Sequence, residues 1–132
     1  MKRFSNRLTQ LALLVTIALS AAALSACGPF AFGPCTPKGG GNGSATSTVQ
    51  VVADANKVGT YQPENVTIQS GQSVTWAWQD QSNQHSVTAD DGSFDSCLQK
   101  AGSSFTVTFA KAGTYGYKCS IHPQMIGRVT VT

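Results

Sequence analysis

Apolar and polar positions alternate in short runs from Thr48 to the end of the chain. In SFTVTF (104–109), Phe105, Val107 and Phe109 fall on one face and Thr106 and Thr108 on the other. That period of two is what a half-buried strand requires. The same reading predicts strands at 48–53, 66–69, 73–78, 85–89, 104–109, 114–119 and 127–132, all rich in valine, threonine and aromatic residues. Turn-forming stretches such as SGQ, DDG and KAG divide them. No 3.6-residue period follows the N-terminal apolar run. The pattern therefore predicts an all-β domain, an antiparallel sandwich or Greek-key barrel spanning 48–132. Its core should draw on Val51, Val66, Ile68, Val74, Trp76, Val87, Phe105, Val107, Phe109, Tyr115, Tyr117, Val129 and Val131.

Ahead of this domain the composition changes twice. Lys2, Arg3 and Arg7 precede the apolar run LALLVTIALSAAALSA (11–26), which is shorter than the roughly 20 residues of a membrane span and has the layout of an export signal. The run ends in LSAC, which resembles a bacterial lipobox. Residues 1–26 thus read as a lipoprotein signal peptide and Cys27 as the lipidated mature N-terminus, with plain secretion or an uncleaved anchor as alternatives. Residues 27–47 are rich in glycine, proline and serine without period, the composition of a flexible tether. As free coil it would reach on the order of 25 Å. The mature protein is expected outside the cell membrane, lipid-anchored to its outer face or in the periplasm.

Removing the signal changes the charge. Of nine basic residues, three lie before the apolar run, and the remaining six balance six acidic ones. A formally neutral domain gives no electrostatic support to a nucleic-acid partner. Asp80, Asp90, Asp91 and Asp95 form an acidic stretch around His85, read as solvated loop carboxylates in preference to a docking patch.

The chemistry concentrates in CSIHPQM (119–125). The chain has two histidines, His85 and His122, and Met125 is its only methionine after the initiator. In TYGYKC the alternation puts Tyr115, Tyr117 and Cys119 on one face, so inward tyrosines carry the thiol inward too. A C-x2-H-x2-M turn lets three side chains converge from one loop while His85 arrives from another segment. Two imidazoles, a thiolate and a weak thioether suit a copper that alternates between Cu(I) and Cu(II). Zinc has little use for methionine.

On these residues the chain resembles the cupredoxins, specifically the plastocyanin/amicyanin group. YQPENVTIQSGQSVTW is similar to the first half of that fold, HSVTADDGSFDS to the region of its first ligand, and GTYGYKCSIHPQMIGRVTV to its closing hairpin. The short spacing with Pro123 after the second histidine is most similar to amicyanin. The resemblance implies an eight-strand Greek-key sandwich holding one type 1 copper at one end, with His85, Cys119, His122 and Met125 as ligands. It also implies single-electron transfer between redox proteins (a cytochrome, dehydrogenase, photosynthetic centre or oxidase), with no enzymatic activity and no small-molecule substrate. Many relatives carry Asn directly after the first histidine, where it braces the cysteine loop. Ser86 occupies that place, shorter but able to hydrogen-bond.

Of four cysteines, a lipidated Cys27 and a ligating Cys119 leave Cys35 and Cys97, an even pair in an oxidising compartment and a candidate disulfide. Two other readings compete. A copper chaperone or storage lipoprotein would share the ligands but release metal readily. A metal-free β-sandwich interaction module would instead pair Cys97 with Cys119.

Overall fold

The computed structural model describes residues 34–132. The signal segment, Cys27 and the first part of the tether lie outside the described residues. Among those described, every regular element is a strand: β1 Ser47–Asp54, β2 Val58–Gln62, β3 Asn65–Ile68, β4 Ser73–Trp78, β5 Thr88–Ala89, β6 Ser104–Thr108, β7 Gly113–Lys118 and β8 Ile126–Val131. They form two four-stranded sheets, ordered β2-β1-β4-β6 and β3-β8-β7-β5. The sandwich is not purely antiparallel. β1 runs parallel to β4 and β3 parallel to β8, so each sheet contains one parallel pair created by a connection that leaves the sheet and returns.

The alternation read from sequence becomes the packing. Val74, Trp76 and Trp78 of β4 face inward, as do Val49 and Val51 of β1, and meet Val66, Ile68, Tyr117, Val129 and Val131 from the other sheet. Trp76 sits in an aromatic cluster, with ring centroids 5.2 Å from Tyr117 and 5.7 Å from Phe94. Phe105 and Tyr115, expected in the core, pack at its margin and are half-buried. Val49, Tyr61, Trp78, Ala89, Phe94 and Met125 join the core beyond the predicted set.

Two differences bear on function. First, β2 was not anticipated. It pairs antiparallel with β1, Gly59 opposite Ala53, and its three central residues are all buried, so it lacks the alternation that marks a half-exposed strand. Second, the strand expected at 85–89 shrinks to Thr88–Ala89. The Ser86 N–H points at the Cys119 sulfur, 3.3 Å away, and the Val87 N–H at Ser96 Oγ, 2.8 Å away. These amides serve loop contacts and are lost to a ladder.

Residues 35–46, within the stretch read as tether, run against the sandwich. Lys38 exchanges backbone hydrogen bonds with Asp95, the Gly41 N–H bonds the Thr106 carbonyl and the Thr46 N–H the Ser73 carbonyl. Cys35 and Cys97 form a disulfide across a sequence separation of 62. The segment crosses the sheet closely: a Cβ on Gly43 would lie 2.6 Å from Ser73 Oγ and 2.8 Å from Thr108 Oγ1, and those hydroxyls would have to shift.

Candidate metal centre

Three of the four predicted ligands meet at one end of the sandwich. Ligating atoms of His85, Cys119 and His122 all lie within 4.8 Å of one another. The two Nδ1 atoms are 3.1 Å apart, and the Cys119 sulfur is 3.5 Å from His122 Nδ1. The chain achieves this through two anchors. Cys119 follows the last residue of β7, and its N–H bonds the Met125 carbonyl at 3.0 Å while the Met125 N–H bonds the His122 carbonyl at 2.9 Å. The turn closes on itself and brings Met125, 1 % exposed, to the same buried end. His85 enters from the β4–β5 connection, its backbone bridged in both directions to Gln99.

Among the described residues Cys119 has no disulfide partner, and it is buried. Since Cys97 is joined to Cys35, the Cys97–Cys119 pair that a metal-free module would form is absent.

Ser86 is hydrogen-bonded to the cysteine loop. Its hydroxyl oxygen accepts the Ser120 N–H at 2.8 Å and lies 3.0 Å from Ser120 Oγ, and it neighbours Thr88 Oγ1 at 2.9 Å. The Ser86 N–H points at the Cys119 sulfur and fixes where it sits. Burial first, then the adjacent His85 ring, hold the His122 imidazole below its ordinary range, with Asp80 opposing. His85 and Ser86 are fully buried, whereas His122 retains partial exposure beside Ile121 and Ile126, which are 51 % and 59 % exposed.

Four residues at this site were not expected from sequence. Trp78 donates its indole N–H to the His85 carbonyl at 2.8 Å, and the Tyr61 hydroxyl donates to the Ser86 carbonyl at 2.5 Å. Gly59 lies against the His85 ring: a Cβ there would fall 2.3 Å from its Cε1. The fourth, Asp80, corrects the reading of the acidic stretch. It is no solvated loop carboxylate. It is 3 % exposed and holds His85 Nε2 at 2.7 Å. Burial alone would raise its carboxyl, but hydrogen bonds from His85 and from the Ser82 and Asn83 amides hold it below the usual carboxylate range. Its only sequence sign is an aspartate just beyond a strand end and five residues before a histidine. Asp90 and Asp91 are exposed as read, the former pairing with Lys118 at 3.3 Å. Asp95 is half-buried and accepts hydrogen bonds from Thr88 Oγ1 and the Cys97 N–H.

Comparison with known proteins agrees with this geometry. The family described as copper binding proteins, plastocyanin/azurin family, matches residues 47–132. A chloroplastic plastocyanin of Tetradesmus obliquus is 34 % identical over 97 residues, covering 64 % of this chain and 66 % of the relative. An amicyanin of Paracoccus denitrificans is 31 % identical over 85 residues, covering 61 % of this chain and 64 % of the relative. The chain thus spans just under two thirds of the length of either. Among solved structures, a purple cupredoxin from Nitrosopumilus maritimus superposes with a TM-score of 0.53 at 31 % identity, over 63 % of this chain and 98 % of that one. The family match covers well over half of the sequence, and the chain belongs to that family. The donor set fits one copper ion: two imidazole nitrogens and a thiol converge in a buried place, with a methionine closing the loop.

Proposed function

We propose that this member of the copper-binding plastocyanin/azurin family carries single electrons between redox proteins, with His85, Cys119, His122 and Met125 as the ligands of its copper. When bound, the copper supplies a Cu(I)/Cu(II) couple. The chain's part is to hold the donors still. The Ser86 amide and hydroxyl fix the cysteine loop, Trp78 fixes the His85 backbone, and the self-bonded 119–125 turn fixes the others. A frame with so little freedom favours electron exchange over metal hand-over, since donors that barely rearrange suit both oxidation states. The observation that carries this reading is the buried meeting of Cys119, His85 and His122, with only His122 reaching the surface.

The apolar rim around that histidine (Ile121, Pro123 and Ile126) supports docking of a protein partner there, be it a cytochrome, dehydrogenase, photosynthetic centre or oxidase. Export and lipidation at Cys27 would hold the domain at the outer face of a membrane or in a periplasm. The segment ahead of the Cys35–Cys97 disulfide would serve as the tether.

Absorption and voltammetry of the copper-loaded protein test the reading. The wild type is expected to show an intense thiolate-to-Cu(II) charge-transfer band and a reversible one-electron wave, and Cys119→Ser to lose the band. A band that persists in C119S overturns the ligand assignment. Rapid loss of copper to a chelator, without reversible cycling, favours copper storage or delivery instead.

A further inference from the structure

A buried carboxyl stands behind the His85 ring. Asp80 follows the end of β4, where the Gln79 and Asp80 amides both bond the Val51 carbonyl, at 2.8 and 3.2 Å. This fork turns the chain and drives the Asp80 side chain inward, where it is wholly buried. Its surroundings consist of donors. Oδ1 accepts the Ser82 N–H at 2.7 Å and the Asn83 N–H at 3.2 Å, and Oδ2 faces Asn83 Nδ2 at 3.4 Å and His85 Nε2 at 2.7 Å. A protonated carboxyl could give its hydrogen only to His85 Nε2, and the three amide donors on its oxygens favour the carboxylate instead. The group is a carboxylate, and the hydrogen between it and His85 belongs to Nε2.

That assignment determines what the other face of the ring offers. With Nε2 carrying the hydrogen, Nδ1 of the neutral imidazole keeps its lone pair, and Nδ1 is the atom that faces His122. A buried, unscreened anion on the far nitrogen also makes the ring a more basic donor and favours the more positive state of whatever it binds. We propose that Asp80 is a positioning residue of the copper centre: it sets the His85 tautomer and, by its charge, biases the bound metal towards Cu(II). The bias rests on the copper reading above, whereas the tautomer does not.

Two measurements separate these parts. In the metal-free wild type, nitrogen-detected NMR of the His85 ring is expected to show hydrogen on Nε2 and a bare Nδ1. Hydrogen on Nδ1 would overturn the proposal whatever the copper does, and this readout needs no variant to fold. The second measurement uses Asp80→Asn, which preserves shape and an acceptor oxygen but removes the charge. Copper-loaded D80N is expected to favour Cu(I) about tenfold more than wild type, equivalent to a potential about 59 mV higher for a one-electron couple. A folded, copper-loaded D80N with an unchanged potential would overturn the electrostatic part, since a merely structural aspartate would leave the potential alone. If C119S retained its band while the Nε2–H tautomer held, the copper reading would fail and the positioning of His85 would stand.

Discussion

Gly59→Ala is the smallest substitution that should damage this centre, and its effect can be worked from distances. The added methyl would lie 2.3 Å from His85 Cε1 and 2.8 Å from Nε2. Carbon atoms pack at about 3.5–4.0 Å, so something must move by more than about 1 Å. The ring has little room. Nε2 is held by Asp80 at 2.7 Å, the backbone is bridged to Gln99, and Trp78 grips the carbonyl. The strand is no freer, since β2 is bonded along its length to β1. Overpacking of this kind costs about 1–3 kcal/mol. If the ring yields, breaking the His85–Asp80 bond in a buried place adds about 1–3 kcal/mol. We expect G59A to fold with about 3 kcal/mol less stability in urea unfolding of the metal-free protein. Copper(II) titration followed by the charge-transfer band should show affinity about 10–100-fold weaker. Gly41→Ala is the control: among the described residues its methyl meets only Thr108 Oγ1, at an ordinary 3.9 Å, and should cost less than about 1 kcal/mol. A G59A protein matching wild type in both stability and copper affinity would refute the claim that β2 buttresses the ligand ring.

Two further outcomes follow from the same framework. Replacing Cys35 and Cys97 together by serine removes a cross-link of sequence separation 62 and should lower stability by about 4 kcal/mol in denaturant unfolding; a loss below about 1 kcal/mol would count against the disulfide. Burial pushes the Tyr117 phenol from 10.0 up to about 12. Below pH 10 both folded and unfolded chains keep this proton; between pH 10 and about 12 the unfolded chain releases it and the folded chain does not, so stability falls as pH rises. The loss from this group is about 3 kcal/mol across the window. Tyr117→Phe, which deletes a buried hydroxyl that has no hydrogen-bond partner among the described residues, should stay within about 1 kcal/mol of wild type at pH 7 and flatten the alkaline slope. An identical slope in Y117F would remove the assignment.

What could be read from sequence, and what could not, divides along a physical line. β4, β6, β7 and β8 were legible because one face of each meets the core and the other does not, so burial prints a period of two. The candidate donors stood out because the chain is poor in their types: it has two histidines and one methionine beyond the initiator. β2 was illegible for the opposite reason. Gly59, Thr60 and Tyr61 are buried in succession, with Gly59 under the His85 ring and Tyr61 in the core, so no alternation exists to detect. The glycine run before Ser47 reads as coil by composition, although at Gly43 the missing Cβ serves close approach to a sheet. Asp80 reads as solvent-facing because carboxylates are almost never fully buried unless paired, and its partner becomes visible only when the chain has folded. The unread features thus share a cause. Each is a residue whose role rests on a contact made only in the folded chain, with a distant segment for Gly43, Gly59 and Tyr61 and within one turn for Asp80, and most of them converge on His85. The ligand that the sequence ties down least, standing outside the CSIHPQM loop, is therefore the one the fold surrounds most completely: a glycine on one face, a carboxylate at the far nitrogen, a tryptophan on its carbonyl and Gln99 along its backbone.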